Sequence, residues 1–302
     1  MLLLQQMIIL FLMMMIGYGL ARAHMIDDKI SGGLSAIVVN VANPCLILNS
    51  GFGQDKGSDG GRFLTSVILA FLMYAALMLV AEIVPRLIRA DRDRYGTYKV
   101  MTIFSNIGFM GIPVIAAVYG QGAVLYTSPF ILLYNVLIYT YGIRALCGTG
   151  RKMHLRQLVN LGNIACVAAI LGYLLGLSLP GPLAGTSQSL ANLNAPLSMI
   201  VIGYSLSKMD LKKLFFDRTL LIFSVIKLLI LPIIGIFLIR IFVKDSIVLG
   251  VAYCMLSTPV GSMNAMLAQQ YHGDFELASK GVAVTTILSV ITMPLISALM
   301  GV

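Results

Sequence analysis

The chain has 302 residues, of which 59% are hydrophobic and only 11% are charged, and its mean hydropathy is +0.93. Soluble globular domains carry about 25% charged residues, so this composition excludes an ordinary soluble domain and indicates a polytopic membrane protein. The net charge of +9 does not indicate a nucleic-acid partner, because the basic residues lie in short loops between apolar runs, as in membrane proteins.

The apolar runs predict ten transmembrane helices, because about 20 apolar residues cross a bilayer core. The first run is interpreted as a span and not as a cleaved signal peptide, since it is long and lacks a basic N-terminal region. The predicted fold class is an all-α polytopic membrane protein. In chain order the predicted spans are 2–21, 32–52, 63–85, 98–118, 122–143, 157–178, 189–207, 219–239, 246–269 and 280–300.

The loop charges predict the orientation of these spans. With the N-terminus outside, the cytoplasmic loops hold sixteen Lys and Arg residues, and the opposite loops hold four, namely Lys56, Arg62, Arg240 and Lys244. Cytoplasmic loops of membrane proteins are enriched in Lys and Arg. The sequence therefore predicts a multi-pass integral membrane protein with both termini extracytoplasmic.

An internal repeat relates the two halves of the chain. Three pairs of like residues are each 152 positions apart: Pro44 with Pro196, Ser105 with Ser257, and Tyr119 with Tyr271. Each half holds five spans, so the second copy must run upside down, which is the inverted-repeat architecture of secondary transporters. The predicted domains are a first repeat at 1–146, a short cytoplasmic linker at 147–156 and a second repeat at 157–302.

Helix-breaking residues interrupt four of the spans. Pro and Gly weaken the backbone ladder of a helix, and in hydrocarbon the freed groups are tolerated only inside protein or along a cavity. The alternative is that these residues make simple packing kinks, but Ser, Thr and Asn side chains beside the breaks in spans four and nine favour a binding site. The predicted helix breaks are Pro44, Gly111, Pro113, Pro196, Pro259 and Gly261.

Lys227 is the one basic residue predicted at mid-span depth. A cation there costs a few kcal/mol on insertion scales and is a functional hypothesis by default; the alternative is a lysine that snorkels to the interface. Glu82 is the one acidic residue predicted inside a span, and it is interpreted as an interfacial partner of Arg86. A buried positive charge with amides and hydroxyls, and without a deeply buried acid, indicates a small organic anion as substrate.

Seven polar residues at or near the breaks are candidates for binding that anion. Half-helix N-termini at such breaks present N–H groups and the positive end of the helix dipole, which favour an anionic group. The four cysteines are scattered, so no metal site, disulfide framework or cofactor is predicted. The predicted substrate-binding residues are Asn43, Ser105, Asn106, Lys227, Ser257, Thr258 and Asn264.

Residues 104–120, FSNIGFMGIPVIAAVYG, resemble the fourth span of the auxin efflux carrier family, which includes the plant PIN-type carriers. Asn106 stands seven residues before Pro113 of the MGIP motif. IKLLILP, with Lys227 five residues before Pro232, resembles the eighth span of the family, and STPVGSMNAMLAQQY resembles its ninth. The short connection between spans five and six is typical of bacterial members and implies the cytoplasmic (inner) membrane of a bacterium.

The resemblance implies a fold related to the bile-acid sodium symporters. Broken helices four and nine would cross in a mobile transport core of spans 3–5 and 8–10. Spans 1, 2, 6 and 7 would form a scaffold that also makes a homodimer. The resemblance further implies elevator-like movement, with Asn106 hydrogen-bonded to the substrate carboxylate and Lys227 supplying positive potential.

The leading functional hypothesis is a secondary carrier that moves a small carboxylate by efflux or uniport. A monoanion gains about 2.3 kcal/mol per 100 mV when it moves out of a negative interior. The alternative is a proton- or sodium-coupled importer of a dicarboxylate such as malonate or malate, with sodium held at the breaks by Thr258 or Asn264.

Other function classes fit the sequence poorly. An intramembrane enzyme would need a paired nucleophile and base or two carboxylates in the spans, so no enzymatic activity is predicted. No loop is long enough for the output domain of a sensor, and a channel would need no inverted repeat. The predicted partners are the anion and the lipid bilayer.

Overall fold

The computed structural model describes residues 2–53, 60–147, 159–208, 217–271 and 273–300. In these ranges the chain is helical, and its β structure is a single isolated antiparallel bridge. The first half contains α1 (Leu2–Arg22), α2 (Asp28–Ile37), α3 (Asn43–Gly51), α4 (Gly60–Leu87), α5 (Tyr95–Ile103), α6 (Ile112–Tyr119), α7 (Ser128–Leu137) and α8 (Ile143–Cys147). The second half contains α9 (Leu161–Leu175), α10 (Gly181–Ala191), α11 (Asn194–Ser207), α12 (Arg218–Val225), α13 (Leu231–Phe242), α14 (Ser246–Ser257), α15 (Ser262–Gln270) and α16 (Phe275–Met300).

Several helices are long and apolar enough to cross a membrane. Shorter apolar helices occupy Ile8–Arg22, Ile107–Tyr119, Leu161–Leu175 and Ser246–Ser257. The all-helical membrane class is therefore confirmed, whereas the count of ten spans stays a prediction. The five long apolar stretches are Asp28–Gly51, Gly60–Leu87, Gln121–Leu146, Arg218–Phe242 and Phe275–Leu299.

Short π-helical turns join several helices end to end. Those at Val38–Ala42, Ile107–Gly111 and Ile226–Ile230 each end two residues before a proline, namely Pro44, Pro113 and Pro232. Proline lacks the N–H that a continuing α-helix needs and crowds a carbonyl one turn back, and the wider π-turn accommodates both effects. Helical structure therefore continues through these prolines, and α2 and α3 form one stretch across Pro44.

The second half differs from the predicted boundaries around span seven. The predicted spans six and seven, 157–178 and 189–207, leave the residues between them outside the helices, but Gly181–Ala191 forms α10. Pro182 stands in its first turn, where proline is tolerated. A turn at Asn192 and Leu193 separates α10 from α11, and Pro196 is the third residue of α11. The predicted linker at 147–156 lies, beyond Cys147, outside the described residues.

Close glycine contacts hold together the helices of the predicted scaffold. A Cβ on Gly17 of α1 would overlap the Ile200 carbonyl of α11, and one on Gly203 of α11 would overlap the Met14 carbonyl. In the same way Gly51, at the end of α3, lies against α9. Small residues permit such backbone approach, which is the main source of packing energy between helices in lipid. The division into scaffold and transport core stays a prediction.

We expect Gly17→Ala to destabilise the protein, because the added methyl group must push α1 away from α11; overpacking of this kind costs about 1–3 kcal/mol. The measurement is thermal unfolding of the purified protein in detergent. Gly19→Ala is the matched control, since Gly19 lies on the same helix and has open space around it. Equal melting temperatures for the two variants would contradict the glycine contact.

Candidate functional site

Two helices are interrupted and then resume in nearly the same way. After α5, Phe104 is extended (φ −99°, ψ 94°), and the π-turn before α6 begins with Asn106 as its N-cap. After α14, Thr258 is extended (φ −63°, ψ 145°), and α15 begins after Gly261 (φ −72°, ψ 142°). Each interruption therefore produces one helix C-terminus and one helix N-terminus inside a predicted transmembrane span.

The predicted helix-break residues fall on different sides of these interruptions. Pro259 and Gly261 lie inside the second interruption. Gly111 and Pro113 follow the first one, since its non-helical residues are 104–106. A Cβ on Gly111 would lie 3.1 Å from Met255 Cε and 3.6 Å from Thr258 Cγ2. Gly111 thus brings the resumed helix against the end of α14.

The two interruptions pair with each other as a short antiparallel bridge. The Asn106 N–H donates to the Pro259 carbonyl at 2.7 Å, and the Gly261 N–H donates to the Phe104 carbonyl at 3.0 Å. Backbone groups freed inside hydrocarbon need protein partners. Each interruption therefore supplies partners for the other, and the paired region formed by residues 104–106 and 258–261 is called the crossing.

Asn264 on α15 fixes this crossing with its side chain. Its Nδ2 donates to the carbonyls of Phe104 and Gly261, each at 2.7 Å. Because both partners are acceptors, the orientation of the amide follows from its chemistry. Asn264 Oδ1 is buried and has no hydrogen-bond partner in the described ranges. The free atom of Asn264 is therefore an acceptor, which suits a hydroxyl group or a cation better than a carboxylate oxygen.

Asn106 begins the second half of the first interrupted helix. Its Oδ1 accepts the Phe109 N–H at 3.3 Å, as an N-cap does. The side chain is buried, with 5% of its surface exposed. With the acceptor engaged by the backbone, what Asn106 offers to a ligand is the pair of N–H donors on Nδ2, and these are complementary to an anion.

Lys227 lies on the π-turn between α12 and α13 and is 1% exposed. Its Nζ donates to the Thr102 carbonyl at 2.9 Å and to Ser105 Oγ at 2.8 Å. Both partners lie at the end of α5 and in the first interruption. The ammonium group therefore points into the protein and does not snorkel to an interface.

Asn43, the first residue of α3, lies beside the crossing and contacts α11. The Asn194 Nδ2 donates to Asn43 Oδ1 in a buried contact, and Asn43 Nδ2 would lie 3.4 Å from a Cβ on Gly108. Asn43 therefore packs against the resumed half of the first interrupted helix. Asn194 is absent from the predicted site residues; its spacing of 151 positions from Asn43, close to the internal repeat, is the signal that could have found it.

The hydroxyl of Ser257 is engaged by its own helix, since Ser257 Oγ donates to the Tyr253 carbonyl at 2.7 Å. Val260 in the second interruption donates its N–H to Thr285 Oγ1 of α16 at 3.0 Å, a contact that the sequence did not reveal. The crossing thus gathers most of the predicted polar residues, namely Ser105, Asn106, Lys227, Thr258 and Asn264.

The carboxylate of Glu82 has partners other than the predicted Arg86. Glu82 Oε2 accepts from Lys99 Nζ at 2.6 Å, and Oε1 accepts from the Tyr141 hydroxyl at 2.9 Å. Arg86 instead donates to the Glu82 backbone carbonyl. This carboxylate therefore ties α4 to α5 and to the π-turn Ile138–Gly142, and it is not part of the crossing.

The chain is similar to known membrane transporters along most of its length. The profile of the family described as "Membrane transport protein" matches residues 2–297. An uncharacterized transporter of Methanothermobacter thermautotrophicus is 26% identical, covering 94% of this chain and 93% of that protein. A second uncharacterized transporter, from Methanocaldococcus jannaschii, is 22% identical, covering 95% and 96%. A Rhizobium meliloti protein named provisionally as a malonate transporter is 23% identical, covering 94% and 91%. The chain is therefore a membrane transporter that belongs to this family, the family of the auxin efflux carriers.

Proposed function

We propose that the protein is a secondary carrier that moves a small organic anion, a carboxylate, across the membrane by alternating access. The observation that carries this proposal is the reciprocal backbone pairing of the two interrupted helices. Transporters build substrate sites from half-helices of this kind, because their N-termini present N–H groups to an anionic substrate.

The sign of the substrate follows from the groups at the crossing. α15 begins after Gly261 and has no side-chain cap, so its first N–H groups are not satisfied by a side chain. Asn106 adds amide donors at the other half-helix N-terminus. The partners of Lys227 are a carbonyl and a hydroxyl, so its charge adds to the positive potential. Donors, dipoles and a cation together favour a carboxylate.

We further propose ten spans arranged as two inverted repeats of five, with both termini extracytoplasmic and the protein in the cytoplasmic membrane of a bacterium. Support comes from contacts between repeat-related segments: the two interruptions pair with each other, and Asn43 pairs with Asn194. The bias of basic residues supports the orientation. A homodimer through the scaffold helices is part of the same proposal.

Efflux or uniport is the proposed direction, because the membrane potential drives a monoanion outward. The second candidate is a proton- or sodium-coupled importer of a dicarboxylate such as malonate or malate. It is favoured by the name of the Rhizobium meliloti relative. Malonate is therefore the first substrate to test. Uptake that depends on sodium or on pH would indicate the coupled importer, and uptake that depends on neither would indicate the uniporter.

The proposed movement is that of an elevator, in which the core slides along the scaffold. Ion pairs join helices or the segments at their ends within one proposed body, so each body is stiffened internally. Asp245 pairs with Arg62 and lies outside the spans. Burial raises the pKa of the Asp245 carboxyl group, but the Val248 N–H and the Arg62 guanidinium group together have the larger effect. The pKa of Asp245 is therefore below its usual value. The pairs are Arg62–Asp245, Arg94–Asp274 and Lys99–Glu82 in the core and Lys208–Asp28 in the scaffold.

We expect Asn106→Ser to weaken malonate binding by roughly 10- to 100-fold, the value of one hydrogen bond to a charged group. Serine keeps the N-cap acceptor and removes the amide donors, so the helix start is preserved. The measurement is malonate counterflow in proteoliposomes, with its half-saturation concentration. Asn40→Ala is the control, since Asn40 is exposed and bonds its own helix at Ala36. Equal half-saturation concentrations in both variants would show that Asn106 does not bind the substrate.

A cross-link between the proposed bodies should stop transport. Asn135 Nδ2 of α7 donates to Asn163 Oδ1 of α9 at 2.6 Å, so sliding of the core must separate these residues. In a background without the native cysteines, we expect Asn135→Cys with Asn163→Cys to lose malonate counterflow on treatment with a short bifunctional thiol reagent, and to regain it after reduction.

The control for this cross-link joins two residues of the scaffold. Asn49 Nδ2 lies 3.4 Å from Gln188 Oε1, and the corresponding cysteine pair should keep its counterflow after the same treatment. Full counterflow in the cross-linked Asn135→Cys/Asn163→Cys protein would contradict the elevator, while leaving carboxylate transport itself intact.

A further inference from the structure

Lys227 Nζ lies at the C-terminus of the interrupted helix α5, where it donates to oxygen atoms. In a continuous helix the Asn106 N–H would bond the Thr102 carbonyl, but here it donates to Pro259. The Thr102 carbonyl thereby loses its helical partner at the end of α5, and Lys227 Nζ takes its place at 2.9 Å. The remaining partner is Ser105 Oγ at 2.8 Å. The ammonium group is thus held by a helix C-terminus and a hydroxyl.

These partners are neutral oxygen atoms. In the part of the chain that the structure describes, no ion pair of Lys227 is found, although Lys99, Lys208 and Lys280 each pair with a carboxylate. Half-helix C-termini and unwound backbone carbonyls are the groups with which transporters hold a sodium ion. A lysine ammonium is a compact point charge with three donors, so it can replace such an ion while remaining attached to the chain.

We propose that the Lys227 ammonium group is a tethered substitute for a bound monovalent cation at the crossing. The carrier therefore needs no sodium to hold the interrupted α5 in place or to offset the charge of its substrate. The inference deepens the proposed function. Its test by transport rests on that function. Its stability readout depends on the site alone.

The decisive variant is Lys227→Ala, which removes the tethered charge and leaves room for a free ion beside Thr102 and Ser105. We expect wild-type protein to show the same melting temperature in sodium chloride and in choline chloride of equal concentration. Lys227→Ala should melt at a lower temperature in choline, and sodium should raise that temperature saturably, because an ion that binds only the folded state stabilises it.

Two controls test the position of the ion. Lys227→Met fills the space with an apolar side chain, so sodium should not stabilise it. Adding Ser105→Ala to Lys227→Ala removes one oxygen ligand and should weaken the sodium response. Lys280→Ala, which removes a lysine paired with Glu276 outside the crossing, should respond to the two salts as the wild type does.

The transport readout is malonate counterflow in proteoliposomes with sodium or choline on both sides. We expect wild-type counterflow to be equal in the two salts and Lys227→Ala counterflow to be greater in sodium. A sodium requirement of the wild type would overturn the inference. A second variant, Lys227→Ser, also removes the charge and leaves room for an ion. The inference would equally be overturned if sodium stabilised neither Lys227→Ala nor Lys227→Ser, or if neither variant gave folded protein in sodium. Absence of counterflow for every carboxylate would count against the proposed function, and the melting temperatures would still decide the inference.

Discussion

The fold depends on the need to satisfy backbone groups where no water is available. At the crossing, the Asn106 and Gly261 N–H groups reach carbonyls of the opposite interruption. The Asn264 amide adds a second donor to the Phe104 carbonyl, and the Lys227 ammonium group donates to the Thr102 carbonyl. In hydrocarbon each unpaired group costs several kcal/mol. The two interruptions are therefore stable only together, and this couples the halves of the chain.

The same arrangement determines the electrostatics of the site. Two half-helices begin at the crossing with their positive ends, and the first interrupted helix ends against a buried lysine. The lysine offsets the negative end of α5, and the remainder of its charge adds to the positive potential of the half-helix N-termini and the Asn106 amide. In the proposed function, an anion would balance this positive potential.

Contacts between helices are of two kinds that suit different tasks. Glycine contacts between α1 and α11 are close and apolar, and they fix one pair of helices at short range. The contacts between α7 and α9 instead include an amide hydrogen bond from Asn135 to Asn163, and a bond of this kind is weak enough to break and re-form. The proposed elevator movement would use both kinds of contact.

The sequence by itself determined the membrane class, the position of most apolar helices, and the polar residues Asn106, Lys227 and Asn264, because hydropathy, helix-breaking residues and buried charge are local signals. Only the tertiary structure decided where the first helix opens. Pro113 and Gly111 weaken the helix locally, but the opening lies at Phe104, since its carbonyl and the Asn106 N–H find partners in the second interruption. It also decided that Lys227 bonds Thr102 and Ser105, and that Asn194 joins Asn43. These partners are more than a hundred residues apart, so no local pattern could have identified them.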